Sequence, residues 1–127
     1  MVNKFQISNE GKIDIPKIDF ALIKDEALGK DYSLSLVFTD SKKIQKLNLI
    51  YRDKDYPTDI LSFPLSDDEG EIYISLQDAQ KEAIKFNRPY ENFIAFLFIH
   101  GCVHLKGHDH GSTMENIEVK LRDKFNI

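Results

Sequence analysis

Apolar side chains recur along the chain with two different periods, and the switches between them outline its elements. Val2 to Ile7 reads as a short strand, closed by the turn-forming Asn9-Glu10-Gly11. Pro16 then opens a helix whose apolar positions Ile15, Ile18, Leu22 and Ile23 follow helical spacing, with Gly29 as its stop. From Tyr32 to Phe38 the spacing changes to two, so that Leu34, Leu36 and Phe38 share one face of a strand. Asp40 or Ser41 caps a second helix that buries Ile44, Leu47 and Ile50, and the charged loop Arg52-Asp53-Lys54-Asp55 follows it. Pro57-Thr58-Asp59 has turn chemistry, and Ile60 to Phe63 is a short strand ended by Pro64. The acidic Ser66-Asp67-Asp68-Glu69-Gly70 reads as a surface loop, Glu71 to Ser75 as another strand, and residues 76–86 as a helix broken by Asn87 and Pro89.

The segment from Tyr90 to Leu105 differs from the others. At 100° per residue, Phe93 to Ile99 cover every face of a helix, the pattern of one enclosed by protein on all sides, and this helix is expected at the middle of the core. A last amphipathic helix, about Thr113 to Phe125, buries Met114, Ile117, Leu121 and Phe125 at spacings of three and four.

Composition narrows the class. The 127 residues, 42% hydrophobic and 30% charged, make one domain, expected to span residues 1–127, with no linker, repeat or low-complexity tract. The lone Cys102 forms no internal disulfide, and its apolar surroundings point to a reducing interior. The start of the chain is too polar for a signal sequence, and the run from Phe93 to Ile99 is far short of the roughly 20 apolar residues that span a bilayer. A soluble cytoplasmic protein without membrane attachment is therefore expected. The formal charge is −4, yet residues 41–56 carry five basic and two acidic groups, whereas residues 57–82 carry one basic and seven acidic. An anionic ligand should meet the first stretch.

All four histidines fall between positions 100 and 110. His100 and His104 are four apart on the central helix, so they project side by side from one face, close enough to share an ion. Gly107 lets the chain turn back, and His110 can then supply a third imidazole. Three neutral imidazoles with no fourth protein ligand leave a coordination position open, which is the mark of a catalytic rather than a structural Zn²⁺ site. The spacing H-x3-H-x2-G-x2-H equals the metzincin protease pattern except at the general base, where Gly101 stands in place of Glu. His108 suits a ligand less well, because His110 already completes the spacing. Cys102 points about 200° away from His100 around the helix and belongs to packing rather than ligation. Asp109 has two readings, a general base or an acid that orients the ligating histidines.

His100 to His110 resembles the H-G-x-x-H-L-x-G-x-D-H signature of the YbeY family, bacterial rRNA maturation factors described as metal-dependent, single-strand-specific endoribonucleases. Upstream, Leu47-Asn48, Tyr51-Arg52, Lys54-Asp55 and Pro57 to Pro64 look like that family's loop preceding its sheet, and Gly70 to Ser75 resembles its G-D-I-x-I-S strand, with Glu71 in place of Asp. The resemblance runs from about residue 36 to the C-terminal helix. It implies an α+β zincin-like fold, a small mixed sheet packed around a central buried helix that carries two metal-ligand histidines. It also implies His100, His104 and His110 as ligands of one Zn²⁺ or similar divalent ion per chain, and Arg52 as a catalytic residue. By residue type alone, Arg52 would be a solvated loop residue paired with Asp53 or Asp55. The implied activity is cleavage of single-stranded RNA in maturation of the small-subunit rRNA 3′ end and ribosome quality control, with the small ribosomal subunit and assembly factors as partners. Two rivals stand beside it: a metallopeptidase-like hydrolase, which lacks its base at Gly101, and a non-catalytic ribosome assembly factor with a structural metal.

Overall fold

A computed structural model describes residues 4–107 and 112–127. Along the chain these form β1 (Phe5–Asn9), α1 (Phe20–Leu28), β2 (Ser33–Thr39), α2 (Ser41–Arg52), β3 (Ile60–Ser66), β4 (Glu69–Ser75), α3 (Leu76–Lys85), α4 (Tyr90–Leu105) and α5 (Ser112–Phe125). The strands make one mixed α+β sheet in the order β1-β2-β4-β3, with β1, β2 and β4 parallel and β3 antiparallel to β4 at the edge.

Strand alternation assigns the two faces. Leu36 pairs with Ile72 and Phe38 with Ile74, and Ile74 and Ile72 are opposite Ile60 and Ser62 of β3, so these side chains share one face. On that face α4 lies buried, with Phe93, Ile94, Phe98, Ile99 and Cys102 fully enclosed and α1 and α5 packed around it. A helix apolar on every side finds protein on every side, as expected. Each fully buried large apolar side chain contributes about 1.5–3 kcal/mol, so this helix is the main anchor of the fold. On the opposite face, Val37, Leu61 and the fully buried Ile44 of α2 form a smaller contact.

Several boundaries depart from the sequence pattern, each for a local reason. Helix α1 starts at Phe20, not Pro16, because the Asp19 side chain accepts a hydrogen bond from the Leu22 N–H and caps it there. Ile15 and Ile18 still pack on the core, but from the lead-in segment, while Leu22 is exposed. Asp40 caps α2 by accepting from the Lys43 N–H, and the helix continues through Arg52, so Arg52 belongs to its last turn rather than to a loop. Ile50 is 70% exposed rather than buried. Pro64 does not end β3: it sits opposite Gly70 in an edge strand, where a missing N–H is tolerated. Ser66 pairs with Glu69, so the acidic stretch is a tight hairpin turn at Asp67-Asp68 rather than a free loop. The first strand begins at Phe5, and Val2 lies outside the described residues. Among the described residues no helix is long and apolar enough to cross a membrane.

Candidate active site

His100 and His104 lie one turn apart near the C-terminal end of α4 and line a cavity of about 190 Å³ with Arg52, Ile60, Leu61 and Ser62. Arg52 and the two histidines come from helices on opposite faces of the sheet. They meet because β3 is the edge strand: Ile60 and Ser62 from one face and Leu61 from the other all border the cavity, which therefore wraps the free edge of β3. A larger cavity of about 500 Å³, lined by Gly11, Lys12, Thr39, Asp40, Gln77 and others, contains no histidine or arginine, so chemistry rather than size selects the site.

Arg52 is held by the way α2 ends. Asp53 takes the left-handed conformation at φ 57°, its N–H bonds back to Leu49 O, and the Lys54 N–H bonds to Asn48 O. The fully buried Asn48 donates from Nδ2 to Tyr56 O at 2.9 Å, and Gln45 Nε2 donates to Asp55 Oδ1 at 3.1 Å. These bonds fold residues 53–56 onto the helix. Neither Asp53 nor Asp55 pairs with Arg52, and among the described residues no carboxylate stands within ion-pair distance of its guanidinium.

The histidine side is fixed from α5. His100 Nδ1 is 2.6 Å from Glu118 Oε1, with only 14% of the Glu118 side chain exposed. An Nδ1–H donated to a carboxylate sets the tautomer in which Nε2 carries the lone pair, the arrangement that metal-binding histidines commonly have. Two imidazoles one turn apart on a rigid helix, one of them so oriented, suit a divalent ion of the zinc type. The third expected ligand, His110, lies outside the described residues, as do His108 and Asp109. Among the described residues no three potential ligands come together.

Between the histidines, Gly101 faces the sheet. A Cβ there would lie 3.0 Å from Ile60 Cδ1, Ile72 Cδ1 and Ser62 Oγ. The position where a metzincin carries its general base is thus a close approach of α4 to β3 and β4. Cys102 is fully buried, and burial pushes its thiol well above the ordinary range, as befits a packing residue.

A sequence model of the family described as "Endoribonuclease YbeY" matches residues 3–125 of the chain. The chain belongs to the YbeY family. Endoribonuclease YbeY of Alkaliphilus metalliredigens is 38% identical over 111 residues, covering 79% of this chain and 72% of that protein. Endoribonuclease YbeY of Finegoldia magna is 36% identical over 127 residues, covering 94% and 83%. The solution structure of TM1509 from Thermotoga maritima superposes with a TM-score of 0.69 at 26% identity, covering 96% of this chain and 91% of that one.

The segments that carry the YbeY resemblance have distinct structural tasks in this chain. Asp59 O accepts from the Ser75 N–H at 2.9 Å, so the Pro57-to-Pro64 segment joins the start of β3 to the end of β4. Ser75 then caps α3 and donates from Oγ to the buried Asp78 at 2.6 Å. This lock sets the position of Ile60, Leu61 and Ser62 in the cavity wall. Burial raises the pKa of Asp59, and the nearby Glu82 charge adds to the effect, against lowering hydrogen bonds from the Asp59 and Ile60 N–H groups and Thr58. Sequence reasoning missed Asn48, Ser62 and Glu118 as parts of the site. Asn48 and Ser62 lie in segments that carry the family resemblance, and Glu118 left a signal of its own, an acid four residues after Met114 on the apolar stripe of α5.

Proposed function

We propose that this chain is a metal-dependent endoribonuclease that hydrolyses single-stranded RNA, with ribosomal RNA as its target. Residues 1–127 act as one zincin-like metallohydrolase domain. His100, His104 and His110 hold one Zn²⁺ or a similar divalent ion, and Arg52 grips the scissile phosphodiester. The convergence of Arg52, His100 and His104 on one cavity carries this reading. A bound divalent ion supplies Lewis acidity, polarising a phosphoryl oxygen and making water a stronger acid. Hydrolysis gathers negative charge on the non-bridging oxygens, and the Arg52 guanidinium offers a planar fork that matches two of them. Because the loop after α2 is bonded to the helix, the backbone that carries Arg52 is in place before substrate arrives. Glu118 orients the His100 ring, and Gly101 lets α4 approach β3 closely enough to close the cavity. Maturation of the small-subunit rRNA 3′ end and ribosome quality control follow from the same reading. So do the small ribosomal subunit and its assembly factors as partners, and the cytoplasm as location.

The test measures metal content and cleavage of one single-stranded RNA, before and after chelation, for the wild type, His104→Ala, Arg52→Ala and Arg52→Lys. The expected result is one ion per chain, lost in His104→Ala. Arg52→Ala should keep its metal and melting temperature but cleave about a hundred-fold or more slowly, and Arg52→Lys should recover only part of the rate. Cleavage at the wild-type rate by Arg52→Ala removes it from the mechanism. Metal retained with no RNA cleavage favours a structural ion, and peptide hydrolysis without RNA cleavage favours the peptidase rival.

A further inference from the structure

We infer that Glu118 is a positioning residue for divalent-cation binding: its carboxylate, presented by α5, holds the His100 imidazole in the tautomer and orientation that ligation needs. This rests on the reading of His100 and His104 as ligands, and it adds a residue from a different helix to that site. The 2.6 Å contact to Nδ1 joins side chains of α4 and α5, and it lies at the buried side of α5. The helix is pinned on either side of it. Met114, one turn before, is 1% exposed, and Ile117, Leu121 and Phe125 pack against the main core. A carboxylate on a helix docked in this way loses little freedom in making the bond, so the imidazole is oriented before any ion arrives.

Three consequences follow from the chemistry. A carboxylate partner on Nδ1–H increases the electron density at Nε2 and so the strength of a metal–nitrogen bond. Without it, the neutral ring distributes between two tautomers, only one of which offers Nε2. And because the partner comes from α5, the carboxylate reaches the ring while that helix is docked, so a packing change that leaves α5 docked should leave affinity largely unchanged.

The experiment titrates Zn²⁺ against a competing chelator, and Co²⁺ by its visible absorption, into the full chain as wild type, Glu118→Gln, Glu118→Ala, Leu121→Ala and His104→Ala. Glu118→Ala should weaken binding about 10- to 100-fold and alter the Co²⁺ spectrum, the usual cost of losing such a partner. Glu118→Gln keeps an acceptor without its charge and should fall between. Leu121→Ala loosens α5 packing but keeps the carboxylate, so it should lower the melting temperature while changing affinity much less than Glu118→Ala does. Equal affinities for Glu118→Ala and wild type overturn the inference, as does a loss in Leu121→Ala that matches it. Absence of one-ion binding in the wild type, or its persistence in His104→Ala, overturns the ligand reading beneath it.

Discussion

Gly101→Ala tests the geometry of the site with a single methyl group. Its Cβ would stand 3.0 Å from three atoms, Ile60 Cδ1, Ile72 Cδ1 and Ser62 Oγ, where carbon contacts are most favourable near 3.5–4.0 Å. Ile72 is fully buried on the interior strand β4. Three side chains from two strands crowd the one methyl group, so the expected relief is α4 moving off the sheet by up to about half an ångström, on that comparison of contact distances. Overpacking of this kind costs about 1–3 kcal/mol, against about 1 kcal/mol gained from replacing glycine by alanine inside a helix. The net destabilisation is then about 0–2 kcal/mol, and for a domain of this length about 1 kcal/mol lowers the melting temperature by about 4 °C.

The effect on activity should be out of proportion to that loss. Lifting α4 carries His100 and His104 away from Arg52, which sits on a helix anchored to the other face. A displacement of about 1 Å in a reacting constellation can cost about a hundred-fold, so about half that shift should cost ten-fold or more. Urea unfolding and RNA cleavage, measured on the same preparation, separate the two effects. A Gly101→Ala protein as stable as the wild type and fully active would refute the close-approach argument. Gly101→Glu restores the protease-type residue to the sequence but places a carboxylate against two isoleucines, so it should cost several kcal/mol and yield no peptidase activity.

Asn48→Ala removes the bond to Tyr56 O, so a stability loss of about 0.5–1.5 kcal/mol, the net worth of one hydrogen bond, is expected. It should also slow RNA cleavage by loosening the residues after Arg52, while Zn²⁺ content stays at the wild-type level; reduced metal content would break the proposed separation. The Asp59 carboxyl holds its proton more tightly in the folded chain, so its ionisation opposes folding. That penalty is absent below the unfolded-state pKa near about 3.9 and grows as pH rises through the elevated folded value. Asp59→Asn should therefore raise the melting temperature at pH 7, with the gain shrinking toward pH 4; a difference independent of pH would contradict the sign.

What the sequence discloses depends on how local the cause is. Helix α4 is legible because its apolar residues cover all faces within one segment, and His100 and His104 because helical spacing alone makes them neighbours. The start of α1 is misread because Pro16 and Asp19 both signal a first turn, and the side-chain bond to the Leu22 N–H decides between them. The length of β3 is misread because a proline ends a strand only where its N–H is needed, and edge position is a property of the sheet, not of the segment. Arg52 is invisible to periodicity. Its partners lie across the sheet edge in a distant part of the chain, and only the family resemblance marked it. Gly101 was legible as a missing base but not as a contact, since its neighbours Ile60, Ser62 and Ile72 come from two other elements.

The placement of charge bears on how an acidic chain handles a polyanion. The acidic hairpin turn at Asp67-Asp68 stands at the far end of β3 from Ile60 and Leu61, which border the cavity. Six residues of strand at about 3.4 Å each separate them by about 20 Å, more than twice the Debye length of about 8 Å at physiological salt. Those charges are therefore largely screened from the cavity. Of the acids near the start of β3, Asp78 accepts from Ser41 and Ser75, and Asp59 is half-buried. At the cavity itself Arg52 is the one Arg or Lys among the described lining residues, and in the loop beyond it Lys54 is flanked by Asp53 and Asp55. A phosphodiester is thus attracted by a short-range, directional contact rather than by the field of the whole molecule, and that favours a substrate gripped at one phosphate over a duplex bound along many.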